Sequence, residues 1–532
     1  MAAVTAVLTA AALIVAALGA SLVATPPAAA DAVGPRRPAA GPTLRAGRIV
    51  ALPAVRSGSV VDAYGVGIHL NFLDTPYLDY QAVADALSDL GVRHVRDDLY
   101  LDAPREYRAI RAVAARGIGF DLIMGRPGTG ATPTEYVETV ADHLPVGSVD
   151  ALEGANEWDL FGGGDHWPAE VTAWQRDLFT AARAEPATAG IPVLAPALAF
   201  SWSYADLGDL SAWSDLANAH MYPGGYEPSA VIGQITQAVR TVVPTAPLVT
   251  TEAGYTNAVN GSGHHLPVPE DVSATYLPRL LLDHVLAGER RVYSYELIDS
   301  FDDPGATDTE AHFGLLRHDL SPKPAYTAMR SLLALLADPG PTFTPGRLAV
   351  TADGLPTDAR YLLTQRRDGR FVLLLWRDVR VFDPQEQTPL TVTSAAVTLR
   401  FATSHRLTVH RPTDGPRAVA SRVGTTLPLR LGGQVVAITV DPVRPPAPTG
   451  VSARPGPGRA VLSWRLPPTS ARVTGFQVVR TGPGPDERWR LRPGARSLRD
   501  RGLRDGRRYA FRVRTTGRDG SSRAVVVRVV PG

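Results

Sequence analysis

Short apolar runs alternate with longer amphipathic stretches from about residue 60 to residue 336. The short runs predict strands, and the longer stretches predict helices between them. Eight strands are predicted, at residues 64–70, 92–96, 120–124, 149–154, 193–196, 216–221, 248–251 and 292–297. Helices are predicted at residues 79–90, 104–116, 133–143, 168–184, 228–243 and 272–287, with a last one after Pro324.

Eight such units in roughly 275 residues match the size of a (β/α)₈ TIM barrel. The alternative is an open doubly wound sheet. That fold is less favoured because no glycine-rich phosphate loop follows the first predicted strand. We therefore expect polar residues at the carboxyl ends of the strands to form the functional site.

The pattern changes behind the barrel to short alternating strands with turn signals, which is typical of β-sandwiches. Proline-rich breaks at residues 339–341 and 442–448 separate the segments. The expected domains are therefore a barrel at 60–338, an accessory β-sandwich at 342–441 and a second β-sandwich at 446–532. Strands of the accessory domain are predicted at residues 361–365, 370–377, 390–401, 406–409 and 435–440.

The amino terminus has the pattern of an export signal. Residues 2–23 are almost all apolar, and Ala28-Ala29-Ala30 precedes Asp31 as a small-residue cleavage site. We predict a signal peptide at 1–30, then a linker and lead-in at 31–59, and a secreted or cell-surface protein. The alternative is an uncleaved membrane anchor, because the apolar run approaches the length of a span and no basic residue precedes it.

Composition narrows the possible chemistry. Cysteine is absent from the 532 residues, which excludes disulfides, thiolate metal sites and a thiol nucleophile. The net charge of +2 conceals an asymmetry, because residues 445–532 carry nineteen arginines against five acidic residues. That segment therefore has a charge of +14 and the rest of the chain −12, which indicates modules with different surroundings.

Two predicted strands run into a glutamate. Strand 149–154 leads to Asn156-Glu157, and strand 248–251 leads to Thr251-Glu252. The carboxyl ends of barrel strands share one rim, so the two carboxylates should face each other. Such a pair is what glycoside hydrolysis requires. Either glutamate alone could instead cap a helix or pair with an arginine.

Neighbouring strand ends add polar groups to this rim. The sixth strand leads to His220-Met221-Tyr222, and the second ends at Arg96. A permanent positive charge beside a carboxylate keeps it ionised.

Asn156-Glu157, Thr251-Glu252 and His220-Met221-Tyr222 together resemble the retaining glycoside hydrolases of clan A, the superfamily that contains families 5 and 39. The resemblance implies that Glu157 is the acid/base and Glu252 the nucleophile. It also implies that Asn156 binds the sugar hydroxyl next to the reacting carbon. No metal or cofactor is required by such a mechanism.

The same resemblance implies that Tyr222 hydrogen-bonds the nucleophile and that His220 and Arg96 orient the carboxylates. The chain departs from the family at the residue after the acid/base, where many members have proline and this chain has Trp158. It also has Tyr295 where many members have a tryptophan as the sugar floor.

Trp158 and Tyr295 are therefore candidate stacking platforms for a sugar ring. The adjacent Glu296 is a third candidate rim carboxylate, which would bind or orient substrate.

Residues 446–532 resemble a fibronectin type III domain. The resemblance rests on Pro448-Thr449-Gly450-Val451, on Trp464, and on Tyr509 in the place of the tyrosine corner. The arginines alternate with apolar residues along the strands, so most of them should point outward. Such a surface could bind an anionic cell-wall polymer, an acidic polysaccharide or lipid headgroups. Alternatively, the domain could be a spacer with a basic surface. Nucleic acid is not an expected partner, because aromatic residues are not interleaved with the arginines.

The sequence thus predicts a secreted, monomeric, retaining β-glycosidase that acts on an extracellular polysaccharide or oligosaccharide. One alternative is a non-catalytic carbohydrate-binding or wall-attachment protein on a barrel scaffold. Another is a transglycosylase that uses the same two glutamates.

Overall fold

A computed structural model describes residues 44–532 apart from 163, 264, 443–444, 467–472 and 518–519. The predicted signal peptide at 1–30 lies outside the described residues. Within the described part of the chain, no helix is both long and apolar enough to cross a membrane. Two short strands, β1 (Val50–Pro53) and β2 (Val55–Arg56), and a short helix, α1 (Ser57–Asp62), lead into the barrel.

The eight predicted barrel strands are confirmed as one parallel sheet. They are β3 (Tyr64–Gly67), β4 (His94–Asp98), β5 (Gly119–Ile123), β6 (Val149–Glu153), β7 (Val193–Leu194), β8 (Ala217–His220), β9 (Leu248–Ala253) and β10 (Arg291–Ser294). The strand order is β7-β6-β5-β4-β3-β10-β9-β8. A parallel bridge between Leu194 and Leu216 joins β7 to the start of β8 and closes the ring. This is the arrangement of a TIM barrel.

Helices surround this sheet. They are α2 (Tyr80–Leu90), α3 (Pro104–Ala114), α4 (Pro133–His143), α5 (Trp158–Phe161), α6 (Trp167–Ala184), α7 (Tyr204–Leu207), α8 (Ser229–Val239), α9 (Glu270–Ala287) and α10 (Pro324–Leu336). Local sequence sets several of their ends. Helix α4 begins at a capping box between Thr132 and Glu135, with Pro133 in its first turn. Helix α2 is capped by Asp79 and ends at Gly91, which adopts the left-handed conformation that glycine tolerates.

The accessory segment forms one eight-stranded sheet with β1 and β2. Its other strands are β11 (Arg347–Asp353), β12 (Ala359–Gln365), β13 (Phe371–Arg377), β16 (Ala395–His410), β17 (Ala418–Leu431) and β18 (Val436–Pro442), while β14 (Phe382–Asp383) and β15 (Thr388–Pro389) pair separately. The order is β1-β11-β16-β18-β13-β12-β2, with β17 beside β16. Strands β1 and β2 lie at opposite edges although only Ala54 separates them, so the sheet is rolled until its edges meet.

Two predictions for this segment were wrong. Two strands were expected at residues 390–401 and 406–409. Residues 395–401 and 406–409 instead belong to the single strand β16, whose register with β17 shifts between Arg400 and His405, and residues 390–394 precede it without strand structure. The irregularity is absorbed within one continuous strand instead of forming a turn. The lead-in at residues 50–56 also contributes strands, which the sequence pattern did not indicate.

The rolled sheet has two apolar faces. Alternate residues of β13, such as Leu373 and Leu375, belong to its own core. Val372, Leu374 and Trp376 instead join the core that includes the barrel helices. The Trp376 indole donates a hydrogen bond to Asp283 of α9 at 3.0 Å, so the sheet is attached to the barrel by polar as well as apolar contacts.

The C-terminal segment contains two packed sheets. One has the order β19 (Thr449–Gly456), β20 (Arg459–Arg465), β23 (Ser497–Arg501). The other contains β21 (Val473–Thr481), β22 (Glu487–Leu491), β24 (Tyr509–Gly517), β25 (Gly520–Ser521) and β26 (Val525–Val529). Their inner faces meet in a small core that includes Trp464 and Phe476. The Tyr509 hydroxyl accepts a hydrogen bond from the backbone amide of Arg504 at 3.0 Å.

Candidate active site

The carboxyl ends of four barrel strands bring the predicted residues together. Arg96 lies in β4, His220 ends β8, Glu252 lies near the end of β9, and Glu157 follows β6. Side chains in barrel strands alternate between the interior and the helices. The polar residues near these strand ends therefore converge over the barrel core.

Both oxygens of Glu252 accept short hydrogen bonds. Arg96 Nη1 lies 2.6 Å from Oε1, and the Tyr222 hydroxyl donates to Oε2 at 2.6 Å. Burial by itself raises the pKa of Glu252, but the charges of His220 and Arg96 and these hydrogen bonds outweigh burial and lower the pKa to about 2. Glu252 is therefore a carboxylate with a fixed orientation at neutral pH.

Arg96 is held by a glutamate that the sequence reasoning missed. Glu153 is fully buried, and its two oxygens accept from Arg96 Nε at 2.7 Å and Nη2 at 2.8 Å. Its Oε1 also accepts from Asn218 at 3.0 Å and Thr251 at 3.2 Å. This bidentate pair fixes the guanidinium so that Nη1 points at Glu252. The signal that could have found Glu153 is strand alternation, because it lies two residues after the inward-facing Ala151.

Asn156 joins the same network. Its Oδ1 accepts from Arg96 Nη2 at 2.7 Å. The guanidinium therefore selects the amide rotamer, because the oxygen must face the donor. The Asn156 amide nitrogen is then directed away from Arg96, as a donor suitable for a sugar hydroxyl.

Glu157 occupies a strained turn. Its backbone has φ of 45° and ψ of 40°, a left-handed conformation that costs about 1–2 kcal/mol for a residue with a Cβ. The backbone amide of Glu157 donates to Ala197 at 2.9 Å, which holds the turn against the end of the neighbouring strand. Strain of this kind persists where the surrounding structure determines it, and it often marks a functional position.

His220 connects the two candidate catalytic glutamates. Its Nδ1 lies 2.7 Å from Glu157 Oε1 and 3.5 Å from Glu252 Oε2. Burial lowers the pKa of His220, but the negative charges of Glu252 and Glu157 and the hydrogen bond to Glu157 outweigh burial and raise it. The 2.7 Å separation is that of a hydrogen bond, so a proton lies between His220 Nδ1 and Glu157 Oε1.

The carboxylates are close together. One ligand atom each of Glu157, His220 and Glu252 lies within 4.8 Å of the others. Retaining glycosidases have carboxyl groups about 5–5.5 Å apart, whereas inverting enzymes need about 6.5–9.5 Å to admit a water. The separation therefore suits direct attack by one carboxylate on a sugar.

The same three donors are close enough to contact a metal ion. However, both Glu252 oxygens already accept hydrogen bonds, one of them from the positively charged Arg96. A cation at this position would be repelled by the Arg96 guanidinium. The donor set therefore fits a proton-transfer site better than a metal site.

An aromatic cluster lies beside the carboxylates. The ring of Tyr295 packs edge-on against Tyr222, Phe313 and His69, with centroids 6.5, 5.4 and 5.6 Å away. Neither Phe313 nor His69 was predicted as a site residue. Phe313 lies in the long segment that follows β10, whereas His69 lies two residues after the end of β3, so the rule that sites form at strand ends could have found it. Tyr295 remains the candidate floor for a sugar ring.

Trp158, the residue after Glu157, is held by two polar neighbours. Its indole nitrogen donates to Glu170 at 2.7 Å, and the Arg126 guanidinium lies 5.9 Å from its ring centroid. These contacts fix the indole between α5 and α6. Its role as a sugar platform stays a prediction.

Glu296 lies below the rim, with only 1% of its surface exposed. Its Oε2 accepts from the Tyr77 hydroxyl at 2.9 Å and lies 3.3 Å from His69 Nε2, and Ser300 donates from 3.3 Å. Burial raises the pKa of Glu296 well above its ordinary value. These contacts place Glu296 where it orients His69, a role that the sequence did not predict for it, while its predicted part in substrate binding stays a prediction.

No protein-family model matches this chain, and no curated protein matches it. Solved structures share its fold. A family 39 glycoside hydrolase from Bacteroides cellulosilyticus WH2 aligns with a TM-score of 0.52 and 16% identity, over 73% of this chain and 83% of its own. A monomeric beta-xylosidase from Caulobacter crescentus CB15 aligns with a TM-score of 0.52 and 17% identity, over 75% of this chain and 99% of its own. At this identity the likeness concerns the fold alone.

Proposed function

We propose that the protein is a retaining glycosidase that hydrolyses β-glycosidic bonds in an extracellular polysaccharide or oligosaccharide. The observation that carries the proposal is the close pair Glu157 and Glu252 with unequal surroundings. Arg96 and Tyr222 keep Glu252 ionised, whereas Glu157 shares a proton with His220. A double displacement needs one carboxylate held as an anion for attack and a second carboxyl group beside a proton for the leaving oxygen.

In the first displacement, a lone pair of Glu252 forms a bond to the anomeric carbon as the bond to the leaving oxygen breaks. The leaving oxygen takes the proton held between Glu157 and His220. In the second displacement, Glu157 accepts a proton from water, whose oxygen bonds to the anomeric carbon as the bond to Glu252 breaks. The protonation state of the site is thereby restored.

Other parts of the proposal rest on sequence features. Residues 1–30 act as the export signal, and residues 446–532 form a fibronectin type III domain with Tyr509 as its tyrosine corner. Residues 60–338 form the catalytic domain, and 342–441 support it.

The test is a screen of aryl β-glycosides and polysaccharides with Glu157→Gln, Glu252→Gln and the exposed-helix control Glu138→Gln. We expect Glu157→Gln to lower kcat/KM by about 10²–10⁴ on substrates with poor leaving groups, and Glu252→Gln to lower it at least as much. Azide should rescue Glu252→Gly and give the α-glycosyl azide, because azide then replaces the missing nucleophile. If no glycoside is cleaved and neither variant differs from the control, the protein is not a glycosidase.

A further inference from the structure

Arginines cover both outward faces of the C-terminal segment 446–532. Strands β20 and β21 bury alternate side chains, such as Leu462 and Phe476, between the two sheets. The remaining side chains point away from the core. These two surfaces are named here the three-stranded face and the five-stranded face.

The three-stranded face combines arginine with serine. Arg459 of β20 lies directly opposite Arg501 of β23, and Arg499 lies opposite Val461. Ser463 is opposite both Ser497 and Ser452 on the neighbouring strands. Arg454 and Arg465 are exposed on the same face.

The five-stranded face has a similar grid. Arg490 and Arg514 flank Gln477, and Arg488 and Arg512 flank Val479. The next exposed arginine is Arg528, opposite Ala510. Arg514 donates to the Gln477 side chain at 2.6 Å, so its charge is not neutralised by an acidic partner there.

The acidic residues of the segment do not balance these faces. Among its described residues, ion pairs involve only Arg480, whose guanidinium contacts Asp500 and Glu487. Asp505 accepts from the backbone of Gly458 at 2.7 Å and so caps a turn. Within the described part of this segment, the exposed arginines of both faces therefore form no ion pair with an acidic residue on a neighbouring strand.

Such a surface is electrostatically unfavourable in isolation. Neighbouring strands are about 4.8 Å apart, and residues on one face repeat every ~7 Å along a strand. These spacings are within the Debye length of about 8 Å at physiological salt, so the charges repel each other. Like charges directly opposite, as at Arg459 and Arg501, destabilise a sheet. An anionic partner would remove this repulsion.

We propose that both faces bind one class of partner, a flexible anionic glycan chain that passes around the segment. The arginine fork matches carboxylate and phosphate groups with two parallel hydrogen bonds. A flat membrane would reach only one of two opposed faces, whereas a flexible chain reaches both. The aromatic residues of the segment are all buried or half-buried, so the faces lack the stacking platforms typical of single-stranded nucleic-acid binding.

The experiment measures binding of the full chain to fluorescent polygalacturonate, with long-chain polyphosphate as a second anion source and dextran as the neutral control. Arg459, Arg499 and Arg501 are changed to Gln in one variant, and Arg488, Arg490 and Arg512 in another. The matched control changes Arg406, Arg417 and Arg422, which are exposed in the accessory segment. All three variants lose the same charge.

We expect each face variant to bind polygalacturonate about tenfold more weakly at low salt, with a salt-dependence slope smaller by about two, because fewer counterions are released. The control should stay within about twofold of the unchanged protein. Binding to polyphosphate but not to polygalacturonate would support a phosphate-bearing chain as the source of the anion.

Five results would overturn the proposal, and the first four concern binding to other ligands or the effect of the substitutions. They are equal binding to dextran, an unchanged affinity in both face variants, stronger binding to anionic vesicles that depends on one face, and stronger binding to DNA. Association of the protein with itself at low salt, abolished by the same substitutions, would also overturn it by identifying the acidic body of a second copy as the partner.

Discussion

The candidate site depends on one arginine with three acceptors. Arg96 donates to Glu153, Glu252 and Asn156, so its position determines the orientation of the candidate nucleophile and of the neighbouring amide. Replacing a charged partner in such a network leaves a buried charge without compensation, which typically costs 3–5 kcal/mol. The clearest experiments at the scale of single residues therefore change one donor and keep the charges.

Tyr222→Phe removes one hydrogen bond to Glu252 and keeps the ring. A hydrogen bond to a charged group contributes about 1.5–3 kcal/mol, which corresponds to a rise of roughly one to two pKa units for Glu252. Because the lost bond stabilised the ionised form, the acidic limb of kcat/KM should move to higher pH. The pH profile on the substrate found by the screen measures this shift. The remote control Tyr326→Phe, which loses a contact to Asp89, should leave the limb in place.

Glu106→Gln should stabilise the protein at neutral pH. Glu106 is buried beside Asp97, one of its oxygens has no hydrogen-bond partner, and burial is the main cause that raises its pKa far above that of an unfolded glutamate. The unfolded chain therefore releases this proton above about pH 4.5 while the folded chain retains it, and stability falls as the pH rises from there.

Glutamine has no ionisable proton and avoids that penalty. The free energy of unfolding at pH 7 should therefore rise by about 1 kcal/mol or more, which thermal unfolding measures as a higher unfolding temperature. The gain should vanish below about pH 4. The exposed control Glu138→Gln should change little. A lower unfolding temperature at pH 7 would contradict the role assigned to Glu106.

Regular elements explain why the sequence predicted the rim residues. Parallel strands with apolar interiors are visible in the pattern, and the barrel places everything after their carboxyl ends on one rim. Glu157, Glu252, His220 and Arg96 follow from that rule. Strand alternation places Glu153 on the interior side of β6, but the pattern does not reveal its ion pair with Arg96, so its part in the site was missed. Phe313 was missed because its contact with Tyr222 depends on long loops.

The packing of β13 against α9 also yields a prediction. Trp376 is fully buried and donates to Asp283, which also accepts from Arg360 at 2.9 Å. Trp376→Phe removes the donor and leaves a cavity, and the combined loss should be about 2–3 kcal/mol. Denaturant unfolding measures it. Trp202→Phe is the matched control, since Trp202 is 71% exposed and should be nearly neutral.

At the scale of the whole molecule, the sequence predicted the order of the segments better than the residues at which each segment begins and ends. The barrel and the β-rich character of the later segments follow from the change of hydrophobic period. The assignment of residues 50–56 to the accessory sheet could not be predicted, because their partners lie about three hundred residues later. Such pairing is determined by the folded topology and leaves no local signal.

The position of β1 and β2 makes the barrel an insertion within another domain. Val50 pairs with Val350 at one edge of the rolled sheet, and Val55 pairs with Thr364 at the other. A gene fragment that began at residue 60 would remove both of these strands and leave two unprotected edges, each able to pair with another chain and start aggregation. The barrel and the sheet therefore cannot be exchanged as independent domains. A chimera joined at their apparent boundary should yield insoluble protein.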